Sequence, residues 1–337
     1  MPQINILDKI DIVLSIYNQE EIIERVLYGI FKNTTTPFNL ILIFDGCRDR
    51  SKPRALRYIK QYAPKLLKEV ITRDTPNIFE TRANNTGFKL AQADYLITLQ
   101  DDMVINEHGW ERRLTYPLRI FDDVLAVTSR TAQDIVTLSG DEHQYEHRAS
   151  RELGTLSRET FAIRDVINRG PIAFRTDYLK ELGYLKETYA PSNLDDADLS
   201  LRAWRDKHWK VGAFWIDYIS RLEWGKSRAK DSMMIVSASE QRHGPQIMHD
   251  HRNYLQSNQK HTADIHIPEN TIDYTRHRTL VTFYYWLTYP IRFTSKHTQK
   301  KLQKKVREII HTLLPRLGIK NSKEHGIKKI LISFIKK

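Results

Sequence analysis

Tyr95-Leu-Ile-Thr-Leu-Gln-Asp-Asp102 decides how this chain is read. An apolar run of strand character, Tyr95 to Leu99, leads through Gln100 into two carboxylates, Asp101 and Asp102. Charged groups in that position lose hydration unless a cation or a hydrogen-bond donor compensates them. The carboxyl edge of a parallel sheet is also where open α/β folds bind ligands. A second acidic group, Asp195, Asp196 and Asp198, opens a predicted helix further along the chain.

Outward from this stretch, strand and helix alternate. Ile10 to Ile16 reads as a first strand, and residues 20–31 as a helix with Ile22, Ile23, Val26 and Ile30 on one face. Phe38 to Phe44 is a second strand ending at Asp45-Gly46, residues 50–63 a helix, and Leu66 to Thr72 a third strand. A helix over 78–92 precedes the fourth strand, and Asp123 to Thr128 forms a fifth. This order predicts an α/β fold of Rossmann-like type, a mostly parallel sheet between helices. Residues 131–168 are polar and poorly periodic, and are expected to form a long loop, either a lid or a surface excursion. Gly170 to Phe174 returns to strand, Thr176 to Leu182 is a short helix, and Asp195 to Lys207 is a helix whose early carboxylates suit its N-terminal dipole. Val211 to Ile216 is expected to close the sheet.

With 337 residues, 40% of them apolar, the chain can bury one catalytic domain and carry an appendage. The formal charge of +12 is concentrated in residues 292–337, where fourteen Lys or Arg face two Glu. Residues 1–291 hold 39 basic and 39 acidic side chains. A neutral catalytic part argues against a nucleic-acid substrate, whose enzyme would carry positive field around its cleft. The basic tail reads instead as a docking element. A single cysteine, Cys47, leaves no intramolecular disulfide and suits a reducing compartment. No secretory signal precedes Ile10, so a cytoplasmic location is expected. Thr279 to Ile291 is aromatic and uncharged but too short to span a bilayer as a helix. Val306 to Leu314 and Ile327 to Ile335 are amphipathic and flanked by lysine pairs. Such segments suit peripheral contact with the anionic inner face of a membrane, or a helical subdomain with a solvated basic face.

Several pieces, in order, resemble the family 2 glycosyltransferases of the GT-A fold. Ile12-Val-Leu-Ser-Ile-Tyr-Asn18 is similar to an opening strand ending Pro-x-Tyr-Asn, with Ser15 in the proline's place. Phe44-Asp-Gly-Cys-Arg-Asp-Arg-Ser51 resembles Asp-Asp-Gly-Ser-x-Asp-x-Ser, and Ala83-Asn-Asn-Thr-Gly87 resembles Ala-Arg-Asn-x-Gly. Ala93-Asp-Tyr95 is similar to the Gly-Glu-Tyr that precedes the metal motif, and Gln100-Asp101-Asp102 stands where Asp-x-Asp belongs. Gly170-Pro-Ile-Ala-Phe-Arg, Gly183-Tyr and Asp195-Asp-Ala-Asp-Leu-Ser-Leu-Arg202 resemble the acceptor-side motifs. The resemblance covers about 8–228 and implies a GT-A domain there, followed over 229–337 by a helical extension, basic and amphipathic from about 292.

The resemblance implies an inverting transfer from a nucleotide-diphosphate sugar to a glycan or lipid-linked acceptor, as in surface polysaccharide or glycoconjugate synthesis. Negative charge grows on the departing diphosphate, which a divalent cation, Mn²⁺ or Mg²⁺, can stabilise as a Lewis acid. Hard cations suit carboxylate and phosphate oxygens and need few protein ligands. Asp102, with Asp101, would hold it, and Glu223 stands near where many members place a histidine ligand. Lys226 and Arg228 follow as candidate partners of the diphosphate, or as solvated surface. Asp196 would take the acceptor's proton and Asp195 would orient the acceptor, although both also suit the first turn of an ordinary helix. Asp45 would accept from the imide of a uracil or thymine base, favouring a UDP- or dTDP-sugar, or serve as a plain turn residue. Ser15, Tyr17 and Asn18 would lie beside the nucleoside, and Arg82 and Asn85 would reach ribose or phosphate. Two departures stand out: Phe44 replaces an acid, and Gln100 replaces the first acid of Asp-x-Asp, where an amide can still bond a ribose hydroxyl.

Two other classes remain in view. A nucleotidyltransferase shares the sheet and acids, but Ser15-Ile-Tyr-Asn-Gln-Glu20 lacks the glycines of a phosphate loop. A catalytically inactive sugar-nucleotide-binding protein would lose the base or the metal acids, and both are here. His243, His249 and His251 are read as helix-lining rather than metal-binding, and Trp204 and Trp209 as packing residues.

Overall fold

The first strand, β1 (Ile10–Ile16), is buried along its whole length except at Ser15. The computed structural model describes residues 7–137, 145–151, 156–191, 194–220, 242–256 and 262–274, with 135–137 and 145–151 as backbone only. All belong to the first of two units, Met1–Arg278 and Thr279–Lys337. β1 pairs in parallel with β2 (Phe38–Asp45) on one side and with β4 (Tyr95–Gln100) on the other. β3 (Leu67–Thr75) extends the parallel set beyond β2. In this register Ser15 lies beside Gln100, so the carboxyl ends of β1 and β4 open at one edge.

Strand side chains alternate between faces, and the core divides accordingly. Ile10, Ile12, Leu14 and Ile16 meet α1 (Ile23–Asn33), α2 (Ser51–Tyr62) and α4 (Trp110–Ile120). Val13, Ile41 and Ile43 face the other way, onto α3 (Phe79–Phe88), α5 (Thr176–Glu181) and α6 (Asp195–Lys207). The result is a sheet between two helical layers. Asp11, the one charged residue in β1, is satisfied in place: Asn39 Nδ2 donates to it at 2.8 Å and the Ala93 N–H at 2.8 Å.

α3 lies so close to β1 that a Cβ on Gly87 would stand 2.3 Å from Val13 Cγ1. Alanine there would gain about 1 kcal/mol of helix propensity, but overpacking typically costs about 1–3 kcal/mol. Gly87→Ala is therefore expected to lower the chemical denaturation midpoint, and an unchanged midpoint would refute this close approach.

Past β4 the sheet continues through β11 (Ile172–Arg175), β6 (Val124–Thr128), β12 (Lys210–Ala213), β9 (Thr160–Arg164) and β14 (Ala263–His266). Only β11 and β9 run against the others, so the sheet is mostly parallel, as the alternating pattern predicts. β5 (Met103–Ile105) pairs with β13 (Tyr218–Ser220) just beyond β4.

The stretch 131–168 is not the loop expected from its polarity. β7 (Ala132–Thr137), β8 (Tyr145–Arg151) and β10 (Val166–Ile167) form a small antiparallel sheet, and β9 enters the main one. Their ladders set polar residues opposite one another, as Asp134 opposite Arg148, so no apolar period marks them. Nor does the stretch at 211–216 close the sheet: β12 is an inner strand, and β14 forms the edge. β14 falls inside the region read as a helical extension. A helix over 242–250, α7, and α8 (Arg252–Gln256) bury Ile247, Met248 and Leu255 against Ala197 and Leu201 of α6. The boundary expected at 228 thus gives way to one at Arg278. The basic tail over 292–337 lies outside the described residues.

Candidate active site

At the carboxyl edge, four segments line a solvent-open cleft. The end of β1 and its loop supply Ser15, Tyr17 and Gln19, and α3 supplies Glu80 and Asn84. β4 and the turn after it supply Thr98 to Asp102, and the approach to β11 supplies Arg169 and Gly170. β11 runs antiparallel to β4, which brings its starting end to the same edge.

The two aspartates of the founding stretch have opposite surroundings. Asp101 is compensated by donors, with Tyr17 N–H at 2.8 Å from Oδ2 and Gln19 Nε2 at 3.1 Å from Oδ1, and so clamps the β1 loop to β4. Asp102 receives the Ser220 hydroxyl at 3.3 Å on Oδ2, while its buried Oδ1 has no hydrogen-bond partner among the described residues. Burial and the nearby negative charge of Glu80 push the Asp102 carboxyl above the ordinary carboxylate range, against the pull of Ser220 and Arg130. A buried carboxylate oxygen without a donor, on a residue that lines the cleft, is the compensation problem posed by the sequence.

Glu80 and Arg169 connect this acid to the second acidic group. Gln100 Nε2 donates to Glu80 Oε1 at 2.9 Å, and Arg169 Nη1 lies 2.7 Å from Glu80 Oε2. The same guanidinium pairs through Nη2 with Asp195 Oδ2. The Arg169 N–H donates to Asp196 Oδ2 at 2.9 Å. Asp196 is half-buried and also accepts from the Ala197 N–H at 2.9 Å. Asp198 faces away, bonded to Arg202 at 2.7 Å and to His251 at 2.9 Å, and fastens α6 to α7 and α8.

Three non-glycine residues with left-handed backbone punctuate these segments: Asn18 (φ 51), Phe79 (φ 67) and Leu194 (φ 63). Each such residue costs about 1–3 kcal/mol and persists only where its surroundings hold it. Phe79 precedes Glu80, Leu194 precedes Asp195, and Asn18 lies between Tyr17 and Gln19, so the strained positions flank the cleft.

Of the residues predicted from sequence, Ser15, Tyr17, Gln100, Asp101 and Asp102 line the cleft. Asn18 instead accepts the Arg48 N–H at 2.8 Å, tying two loops together. Asp45 does not open toward a base: it is fully buried, and its Oδ1 accepts from Thr75 Oγ1 at 3.0 Å and Ile78 N–H at 2.7 Å. Asn85 is likewise spent on the fold, donating to Leu185 O at 2.8 Å and accepting from Leu185 N–H at 3.0 Å. Arg82 is half-exposed and pairs at 3.7 Å with Glu187 rather than lining the cleft. Asp195 is buried behind Arg169 and Thr81, so it reaches the cleft only through the guanidinium. Glu223, Lys226 and Arg228 lie outside the described residues, but Ser220, three residues before Glu223, already touches Asp102.

Sequence reasoning missed Glu80, Asn84 and Arg169. Glu80 and Asn84 are four apart on α3, a spacing that places both on one face. Asn84 accepts the Ser15 hydroxyl at 2.8 Å. His251 is bonded to Asp198 and His243 lies edge-on to Tyr189, which agrees with a helix-lining reading. Trp209 stacks on Tyr178 at 3.8 Å, and Trp204 meets His208 edge-on. No group of three or more His, Cys, Asp or Glu suited to a metal occurs among the described residues, and none of their helices is long and apolar enough to cross a membrane.

A mostly parallel sheet with acids at the end of β4 fits the GT-A fold expected from the sequence. The chain belongs to glycosyl transferase family 2, whose sequence model matches residues 11–183. Among solved structures it is similar to GalNAc-T7 with UDP, GalNAc and Mn²⁺, at 15% identity and TM-score 0.49, over 62% of this chain and 42% of that one. It is also similar to the mannosyltransferase PcManGT from Pyrobaculum calidifontis in complex with GDP-Man and Mn²⁺, at 14% identity and TM-score 0.42, over 60% of this chain and 56% of that one. A third is S. aureus TarS 1–349, at 14% identity and TM-score 0.41, over 61% of this chain and 57% of that one. The chain therefore spans 42–57% of the length of these structures. No curated protein matches it.

Proposed function

We propose that this chain transfers a glycosyl group, with inversion, from a nucleotide-diphosphate sugar to a hydroxyl of a glycan or lipid-linked acceptor, with Mn²⁺ or Mg²⁺ held at Asp102. The observation that carries this reading is the buried Asp102 Oδ1 at the carboxyl edge of β4, which has no hydrogen-bond partner among the described residues. An oxygen-only site with few protein ligands suits a hard cation that shares its coordination with phosphate. Asp102 would hold the cation, with Glu223 as the further oxygen ligand and Asp101 fixing the loop beside it. When bound, the cation supplies charge stabilisation for the departing diphosphate.

The protein's own groups account for the remainder. Ser15, Tyr17 and Gln100 border the donor's nucleoside, within a loop that Asn18 and Asp101 hold in shape. In the reaction the acceptor oxygen bonds to the anomeric carbon as the bond to the diphosphate breaks, and the bonding pair leaves with the diphosphate. The hydroxyl proton passes to Asp196, which Arg169 positions through its N–H. Asp195 acts through the same arginine, orienting the cleft wall rather than touching the acceptor. With Asp45 buried, the choice among UDP, dTDP and other bases falls to experiment.

A panel of UDP-, dTDP- and GDP-sugars, each with and without Mn²⁺, tests the reading by calorimetry and by slow hydrolysis of the donor. One nucleotide class is expected to bind and hydrolyse only when the cation is present. Cation-independent binding of every donor would refute it. The basic tail over 292–337 supports contact with an anionic bilayer, where lipid-linked acceptors reside. Truncation of that tail is expected to abolish flotation with anionic liposomes, and equal flotation would rule the contact out.

A further inference from the structure

Arg130 has no part in the chemistry above, yet it stands at the same edge. It follows β6, its side chain is exposed, and its Nη1 donates to the Arg169 carbonyl at 3.0 Å. Its stem presses on Gly170, where an added Cβ would lie 2.7 Å from Arg130 Cβ. Arg169 and Gly170 both line the cleft, so the backbone of the cleft wall and the Arg130 side chain are fixed to one another. Arg169 itself is neutralised between Glu80 and Asp195. Among the described residues no carboxylate forms an ion pair with Arg130. A free guanidinium on a surface is ordinarily just solvated. This one is anchored by a carbonyl and a glycine of the cleft wall, and its remaining N–H groups match the oxygens of a phosphate.

We propose that Arg130 binds the diphosphate of the donor beside the cation site, as a phosphate-recognition residue of the active cleft. This rests on the proposed function, and the two can fail separately. The experiment compares the full chain with Arg130→Gln, Arg130→Lys and Asp102→Asn, using Mn²⁺ alone, Mn²⁺ with inorganic pyrophosphate, and Mn²⁺ with UDP. Arg130→Gln is expected to bind Mn²⁺ alone as tightly as the parent or slightly more tightly, because a nearby positive charge is gone. It should bind both diphosphates about tenfold or more weakly, with a flatter salt dependence. Arg130→Lys keeps the charge and most of the stem, and is expected to lie between the two. Unchanged diphosphate affinity in Arg130→Gln, with Asp102→Asn defective, would overturn the assignment and leave the cation site standing. A matching loss for Mn²⁺ alone would also overturn it, by showing that Arg130 only shapes the Asp102 pocket. Failure of the parent to bind Mn²⁺ with either diphosphate would remove both this assignment and the function beneath it.

Discussion

Asp102→Asn is expected to lose cation-dependent transfer by about 10³-fold or more while leaving the ligand-free fold no less stable near neutral pH. The loss follows from removing the charged oxygen proposed to anchor the cation, whose Lewis-acid contribution would amount to several kcal/mol, about tenfold in rate per 1.36 kcal/mol. The stability follows from the direction of the Asp102 shift. Burial and Glu80 raise its folded pKa above that of an unfolded aspartate. A raised acid favours folding only below the unfolded pKa, and that benefit is lost as pH rises through the folded pKa. At neutral pH the ionised carboxylate is therefore a cost to the empty protein, and the amide removes it. Melting curves without cation should place Asp102→Asn at or above the parent at pH 7, with the gap closing toward acid pH. Cation affinity in the parent should likewise fall on acidification at a pH above the ordinary aspartate range, because the proton and the cation compete for one carboxylate. A variant that still bound Mn²⁺ normally, or melted several degrees lower at pH 7, would contradict the account.

Asp196→Asn should separate binding from chemistry. Loss of a general base costs about 10²–10⁴ in rate, and the effect should fall on kcat while donor and cation affinity stay near those of the parent. Asp196 accepts two backbone N–H groups, from Arg169 and Ala197, and asparagine can replace only one oxygen as acceptor. A stability loss of about 1 kcal/mol is therefore expected as well. Calorimetry with the donor distinguishes the two effects, since a partly unfolded protein would lose binding in proportion. Turnover equal to the parent would remove Asp196 from the mechanism.

The legible part of the fold is the part whose burial is continuous. β1, β2 and β4 are buried on both faces and read as mostly apolar runs with few polar interruptions, and α6 begins and ends where its acids and basic last turn predict. β7 and β8 are set by ladder pairing between polar residues, and β14 by an edge on β9, neither of which leaves an apolar period. At the site, motif resemblance pointed to segments that the fold brings to one edge, but not to which lone pairs are already occupied. Asp45 and Asn85 sit at motif positions, yet their partners are Ile78 and Leu185, 33 and 100 residues further along the chain. Arg169 was hidden for the converse reason: its meaning lies in Glu80 and Asp195, which only the closed sheet brings together.

Anomalous diffraction at the manganese edge, from crystals of the full chain grown with Mn²⁺ and UDP, tests the central claim most directly. The account predicts a single strong peak in contact with Asp102 Oδ1 and with oxygens of both phosphates, on the cleft side of β4. A peak elsewhere, or a diphosphate bound without a metal beside Asp102, would contradict it.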